Sequence, residues 1–108
     1  MNQPINIVEK SKEIKKPWSP VEILRINDQI VRLALFEGEY HWHKHEKEDE
    51  LFYVVSGNIT IQQKGHPDQQ LNEGDMIVIN KGIEYKPISK EKSFIMLFEP
   101  LSLDSKGD

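Results

Sequence analysis

The chain has 108 residues, 18 acidic against 14 basic for a net charge of −4, and no cysteine. That length buries one hydrophobic core, and the balance of apolar and charged residues is that of a folded globular chain rather than a disordered one. The lack of thiols excludes disulfides, thiolate nucleophiles, zinc ribbons and iron–sulfur clusters, so any metal would have to be held by nitrogen and oxygen.

Taken in chain order, the first ten residues, MNQPINIVEK, show neither the basic start nor the apolar stretch of an export signal, which points to a cytoplasmic protein. No apolar run reaches the roughly 20 residues that a spanning helix needs, so no membrane association is expected. Residues 1–20 read as an arm. Ile5, Val8 and Ile14 mark one short helix, and Pro17 and Pro20 then force an extended chain. Lys10, Lys12, Lys15 and Lys16 give the arm a basic character without forming a phosphate-neutralising stripe. They read as a solvated face, and no nucleic-acid partner is expected.

From Val21 to about residue 100 the sequence is a series of short runs rich in Val, Ile, Leu, Phe and Tyr, each closed by Gly, Asn, Asp or Pro. This pattern predicts an all-β domain, followed by a tail over 101–108. The predicted strands are Val21–Ile26, Ile30–Phe36, Tyr40–His43, Leu51–Val55, Ile59–Gln63, Met76–Ile79, Ile83–Ile88 and Phe94–Phe98. Turn chemistry lies between them at Asn27-Asp28, Ser56-Gly57-Asn58, Lys64 to Asp68, Asn72 to Asp75 and Asn80-Lys81-Gly82. Alternation in Asn58-Ile59-Thr60-Ile61-Gln62 puts both isoleucines on the core face. Leu51–Val55 and Phe94–Phe98 are apolar throughout and should be covered on both faces, within the barrel or by a second copy of the chain.

His41, His43 and His45 fall at alternate positions, which on a strand share one face about 6.5 to 7 Å apart. On a helix, His41 and His45 would instead be an i, i+4 pair. The polar stretch Glu46 to Asp49 reads as a loop that delivers Glu50 to the start of the next strand. Two imidazoles and a carboxylate so placed suit iron, manganese, nickel, zinc or copper, with coordination positions left open. The competing reading is an exposed polar hairpin end, with no convergence of these side chains.

The series Gly38, His43, His45, Glu50, Gly57 resembles the first cupin motif, G-x(4 or 5)-H-x-H-x(3 or 4)-E-x6-G. The stretch GDMIVINKGIEYKP from Gly74 resembles the second, G-x5-P-x-G-x2-H. With Trp18-Ser19-Pro20, the Asn27-Asp28 turn and the closing LFEP from Leu97, the whole chain is similar to small single-domain cupins of the mannose-6-phosphate-isomerase-like, conserved-barrel kind. The resemblance implies a double-stranded β-helix, or jelly-roll barrel, that is commonly a homodimer and binds a divalent transition metal and a small molecule between its sheets. Enzymes such as isomerases and dioxygenases share that fold with storage and sensor proteins, so it names no reaction.

Two positions depart from the pattern. Asn80 stands at the usual proline, and Tyr85 stands where the fourth ligand, a histidine, is expected. A phenol with a pKa near 10 is a poor ligand at neutral pH. Three readings of Tyr85 follow: a pocket hydrogen-bond donor or acid/base group beside a metal held by His43, His45 and Glu50; a spectator, with His41 as the extra ligand; or the mark of a binding pocket that has dispensed with metal. Trp42 should point away from the histidines into packing. His66 reads as a loop residue, Lys81 and Glu84 as solvent-facing, and Met76 and Met96 as core.

Overall fold

The structure, a computed structural model, describes residues 3–104, 106 and 107. One short helix, α1 (Ile7–Ser11), precedes seven strands: β1 (Val21–Ile26), β2 (Gln29–Glu39), β3 (Glu50–Ser56), β4 (Asn58–Gln63), β5 (His66–Asn72), β6 (Met76–Ile79) and β7 (Tyr85–Pro100). The Asn6 side chain caps α1 by accepting from the Glu9 N–H at 2.9 Å. All strand pairings are antiparallel, and β1-β2-β7-β3-β6 form one layer. The other layer is β5-β4 paired with the first part of β7. No helix among the described residues is long and apolar enough to cross a membrane.

β7 is the element that joins the layers. Its residues 94–98 lie between β2 and β3, and residues 85–88 pair with β4. The runs Ile83–Ile88 and Phe94–Phe98, expected as two strands, are therefore parts of one. Between them the β2 register slips from Phe36 opposite Ser93 to Gly38 opposite Ser89. The buried hydroxyls stabilise this bend: Ser89 Oγ donates to Ser93 Oγ at 2.8 Å, and Ser93 Oγ donates to the Asn58 carbonyl at 2.9 Å.

The inner faces meet in a core of Ala34, Phe36, Phe52, Val54, Ile59, Ile61, Leu71, Ile79, Ile95 and Leu97, with both isoleucines of β4 buried as their alternation predicts. A smaller cluster lies outside the first layer, where Ile7 and Ile14 cover Leu33, Leu35 and Phe94.

Four expectations need correction. Residues 40–49 form no strand beyond an isolated bridge from His43 to Tyr85, because no neighbour supplies a ladder for the polar remainder. The segment from His66 is not a turn; the turn is confined to Lys64-Gly65, and β5 follows as an edge strand. Pro67 is tolerated there because β5 pairs on one side only. Met76 is 62% exposed, since its alternation carries it to the outer face. Trp42 points outward as well, 39% exposed, with Lys64 Nζ 5.1 Å from its ring.

Gly57 joins β3 to β4 at φ +88°, and a Cβ there would lie 2.8 Å from Ser93 Cβ and 2.9 Å from Ser93 Cα. Gly38 has a similar φ of +86° but open space around it. Gly57→Ala should therefore lose about 2–4 kcal/mol in urea unfolding, from strain plus overpacking. Gly38→Ala should lose only about 1 kcal/mol, from strain alone; equal losses would remove the packing argument.

Candidate functional site

The site forms where the segment after β2 crosses the start of β7. His43 and Tyr85 exchange both backbone bonds, N–H to carbonyl at 3.0 and 2.9 Å, which sets their rings against each other with centroids 4.3 Å apart. His45, 3% exposed, sits two residues on, its ring 5.4 Å from that of His43, and its Nε2 is 3.7 Å from Glu50 Oε1. Tyr85 Oη donates to the same Glu50 oxygen at 2.5 Å. His43, His45, Glu50 and Tyr85 thus converge inside the barrel, and the exposed-hairpin reading does not hold. His41 stays outside, its Nε2–H donating to the Lys106 carbonyl at 2.9 Å.

Strand register adds two residues that the sequence reading missed. Leu51 pairs with Phe98 on the outer face, so the next position inward on each strand places Glu50 of β3 beside Glu99 of β7. Both are buried, at 4% and 1% exposure. Ile30 faces Glu99 across the β2–β7 ladder, and Arg32, two residues on, reaches it diagonally, Nη1 donating to Glu99 Oε1 at 2.8 Å and to the Leu103 carbonyl at 3.3 Å. Like charges set side by side on a sheet repel, and burial makes that worse. Burial foremost, and then the Glu99 carboxyl, which can hydrogen-bond Glu50 only while a proton is held between them, push the Glu50 pKa well above its ordinary value. The Tyr85 hydroxyl and the Arg32 charge pull the other way by less. Burial, followed by the charge of Glu50, likewise raises the Tyr85 phenol well above 10.

A cavity of about 30 Å³ opens on this cluster, lined by Trp18, Pro20, Phe36, Tyr40, His43, Glu50, Phe52, Tyr85, Pro87 and Leu97. Trp18 is the unexpected wall. Pro17 bridges to Leu35, the Trp18 N–H donates to the Leu35 carbonyl at 2.8 Å, and the indole N–H donates to the Glu37 carbonyl at 2.9 Å. Its ring lies against Phe36 and Tyr40, at centroid distances of 4.4 and 4.8 Å. Trp18 holds φ +59°, a left-handed conformation that costs a side-chain-bearing residue roughly 1–2 kcal/mol. The arm is therefore pinned in place by these contacts rather than by its own preference.

The donor atoms that meet here decide whether a metal fits. His43 Nδ1–H donates to the His41 carbonyl at 3.0 Å, which leaves Nε2 as its lone-pair nitrogen, so the imidazoles are suited to ligation. The oxygen donors are not. Glu50 is engaged by Tyr85 and pushed toward its neutral form by burial beside Glu99, the phenol holds its proton, and no three His, Cys, Asp or Glu among the described residues are placed to hold an ion. The residues present do not fit a metal in this arrangement.

Burial, and secondarily the neighbouring His45 and His41, lower the His43 pKa from 6.5 to about 4 against an opposing bond to the His41 carbonyl. Its imidazole C–H signals should titrate near pH 4; a midpoint near 6.5 would contradict the burial. An unfolded histidine takes up its proton near 6.5. His43 should therefore cost stability as pH falls from about 6.5 toward 4, and His43→Gln should reduce that loss in urea unfolding.

Comparison with known proteins agrees with the geometry. The Cupin domain family model matches residues 30–98. The chain is 36% identical over 86 residues to the Bacillus subtilis (strain 168) protein named Uncharacterized protein YdbB, covering 80% of this chain and 76% of the relative. The crystal structure of a cupin-2 domain containing protein from Shewanella frigidimarina is similar at TM-score 0.85 and 40% identity, over 89% of this chain and 93% of that one. That of protein NMB1881 from Neisseria meningitidis is similar at TM-score 0.84 and 26% identity, over 91% and 99%. With two layers closed by a shared strand and both motifs meeting at one interior cluster, the chain belongs to the cupin family.

Proposed function

We propose that this cupin binds a small molecule in the Trp18–Tyr85 pocket without using a metal. The observation that carries the reading is the 2.5 Å hydrogen bond from Tyr85 to Glu50 inside the barrel. It commits the carboxylate expected as a third ligand to a neighbour that is itself a poor ligand. In this reading Tyr85 acts as the donor that fixes Glu50, and His43 lines the pocket as a neutral imidazole. A cytoplasmic location belongs to the same proposal.

The test is metal retention. Wild-type protein incubated with Mn²⁺, Fe²⁺, Ni²⁺ or Zn²⁺ and then dialysed should keep well under one equivalent by mass spectrometry. Tyr85→His, which releases Glu50 and supplies a third imidazole, should keep close to one. Near-stoichiometric metal on the wild type, lost in a His43→Ala, His45→Ala double variant, would overturn the proposal in favour of a metal-binding cupin.

We also propose a homodimer formed through the outer face of the five-stranded layer. Leu24, Val31, Phe98, Leu51 and Val78 form one cross-strand row, and Met96, Tyr53 and Met76 continue the next, beyond the part covered by α1. These rows carry no charged side chain, so the same patch of a second copy can meet them without burying a charge. Leu24, Met76, Val78 and Phe98 are all exposed in it, and contiguous exposed apolar side chains favour an interaction surface. The wild type should sediment as a dimer and Phe98→Glu as a folded monomer; a monomeric wild type at 100 μM would sink the idea.

A further inference from the structure

Most of the cavity wall stands on laddered strands, but the segment carrying the histidines is tied to β7 by an isolated bridge, His43 to Tyr85. Against that segment runs the chain that leaves β7. The Leu101 N–H donates to the Asp28 carbonyl at 2.9 Å, and Ser102 Oγ donates to Glu48 Oε2 at 2.9 Å. Leu103 is buried, 3% exposed, and its carbonyl accepts from Arg32 Nη1 at 3.3 Å. Burial, and then the charge of Asp104, raise the Tyr40 phenol above its ordinary pKa, which puts this chain within electrostatic reach of a wall residue. The Lys106 carbonyl accepts from His41 Nε2 at 2.9 Å. Gly107 then rests on His43: a Cβ added there would lie 2.7 Å from His43 Cβ and 3.3 Å from Cγ and Cδ2, so only glycine makes this contact.

The size of the cavity gives this contact a role. A space of about 30 Å³ holds roughly two water molecules, at about 10–15 Å³ for each, so an organic ligand has to displace part of the wall. Phe36, Phe52, Tyr85 and Leu97 stand on strands whose movement would break ladders. His43 does not. Resting on the small-molecule reading above, we propose that residues 101–104, 106 and 107 are a strap that holds His43 closed over the pocket, and that a ligand enters when the strap lifts from the imidazole. Leu103 is the one buried apolar side chain among its described residues, and Leu101 is 36% exposed. A segment with so little buried apolar surface opens locally far more often than the barrel unfolds.

Diethyl pyrocarbonate acylates the lone-pair nitrogen of a neutral imidazole, and peptide mapping by mass spectrometry separates its sites. Exposed His66 and buried His45 serve as references in the same full-length chain. In the wild type His43 should react at least tenfold more slowly than His66. Gly107→Ala, which forces the main chain off the imidazole, and Leu103→Ser, which removes the anchor at the other end of the strap, should each speed His43 at least fivefold. His66 should keep its rate and His45 should stay unreactive. If Leu103→Ser fails to fold, Gly107→Ala decides alone. His43 reacting as fast as His66 in the wild type, or at an unchanged rate in a folded variant, would overturn the strap. A rise at His43 and His45 together would do the same, since it would report unfolding of the barrel rather than local opening. Protein dialysed against EDTA carries no metal to shield the imidazole, so the strap and the metal-free pocket fail by separate results.

Discussion

The interior of this barrel is organised around two carboxyl groups that the β3–β7 register forces side by side. Once Leu51 pairs with Phe98, Glu50 and Glu99 must share the inner face, and an isolated buried charge there would cost several kcal/mol. The neighbouring residues meet that demand from different directions. Arg32 reaches across from β2, Tyr85 brings a hydroxyl from the far end of β7, and burial beside Glu99 favours the neutral form of Glu50, which eases the remaining repulsion. Tyrosine at position 85 belongs to this arrangement. Its reach and its donor hydrogen place it on the Glu50 oxygen that a metal would otherwise claim.

How far the site can be read from the chain depends on which interactions have a local period. His43, His45 and Glu50 are legible because their spacing reflects alternation and loop length, both local properties. Ile59 and Ile61 are legible for the same reason. Glu99 and Arg32 are not. A glutamate before a proline at a strand end looks like surface, and its burial comes from which strands lie beside β7. Arg32 sits in a run of apolar residues where its inward direction depends on Glu99. Met76 shows the converse, because apolar character marks a face that is covered without saying whether the chain's own core covers it.

Trp18 was legible only as part of a resemblance. Nothing in the composition of the arm tells that its ring ends among Phe36 and Tyr40, since that placement needs the Pro17–Leu35 bridge and a left-handed backbone at the tryptophan. β5 was missed for a different reason. Only Leu71 in it is buried, so its strand character comes almost entirely from backbone pairing with β4 rather than from side-chain pattern.

A strand that serves both layers constrains how such a barrel can open. Because β7 is continuous from Tyr85 to Pro100 and is bonded in both sheets, the two layers are not hinged halves that swing apart. Separating them would tear ladders on either side of the Ser89–Ser93 bend. A molecule bound inside, as proposed above, would therefore enter at an end of the barrel rather than between its layers. The barrel wall is the fixed frame, and Trp18 of the arm and His43 line the pocket beside it.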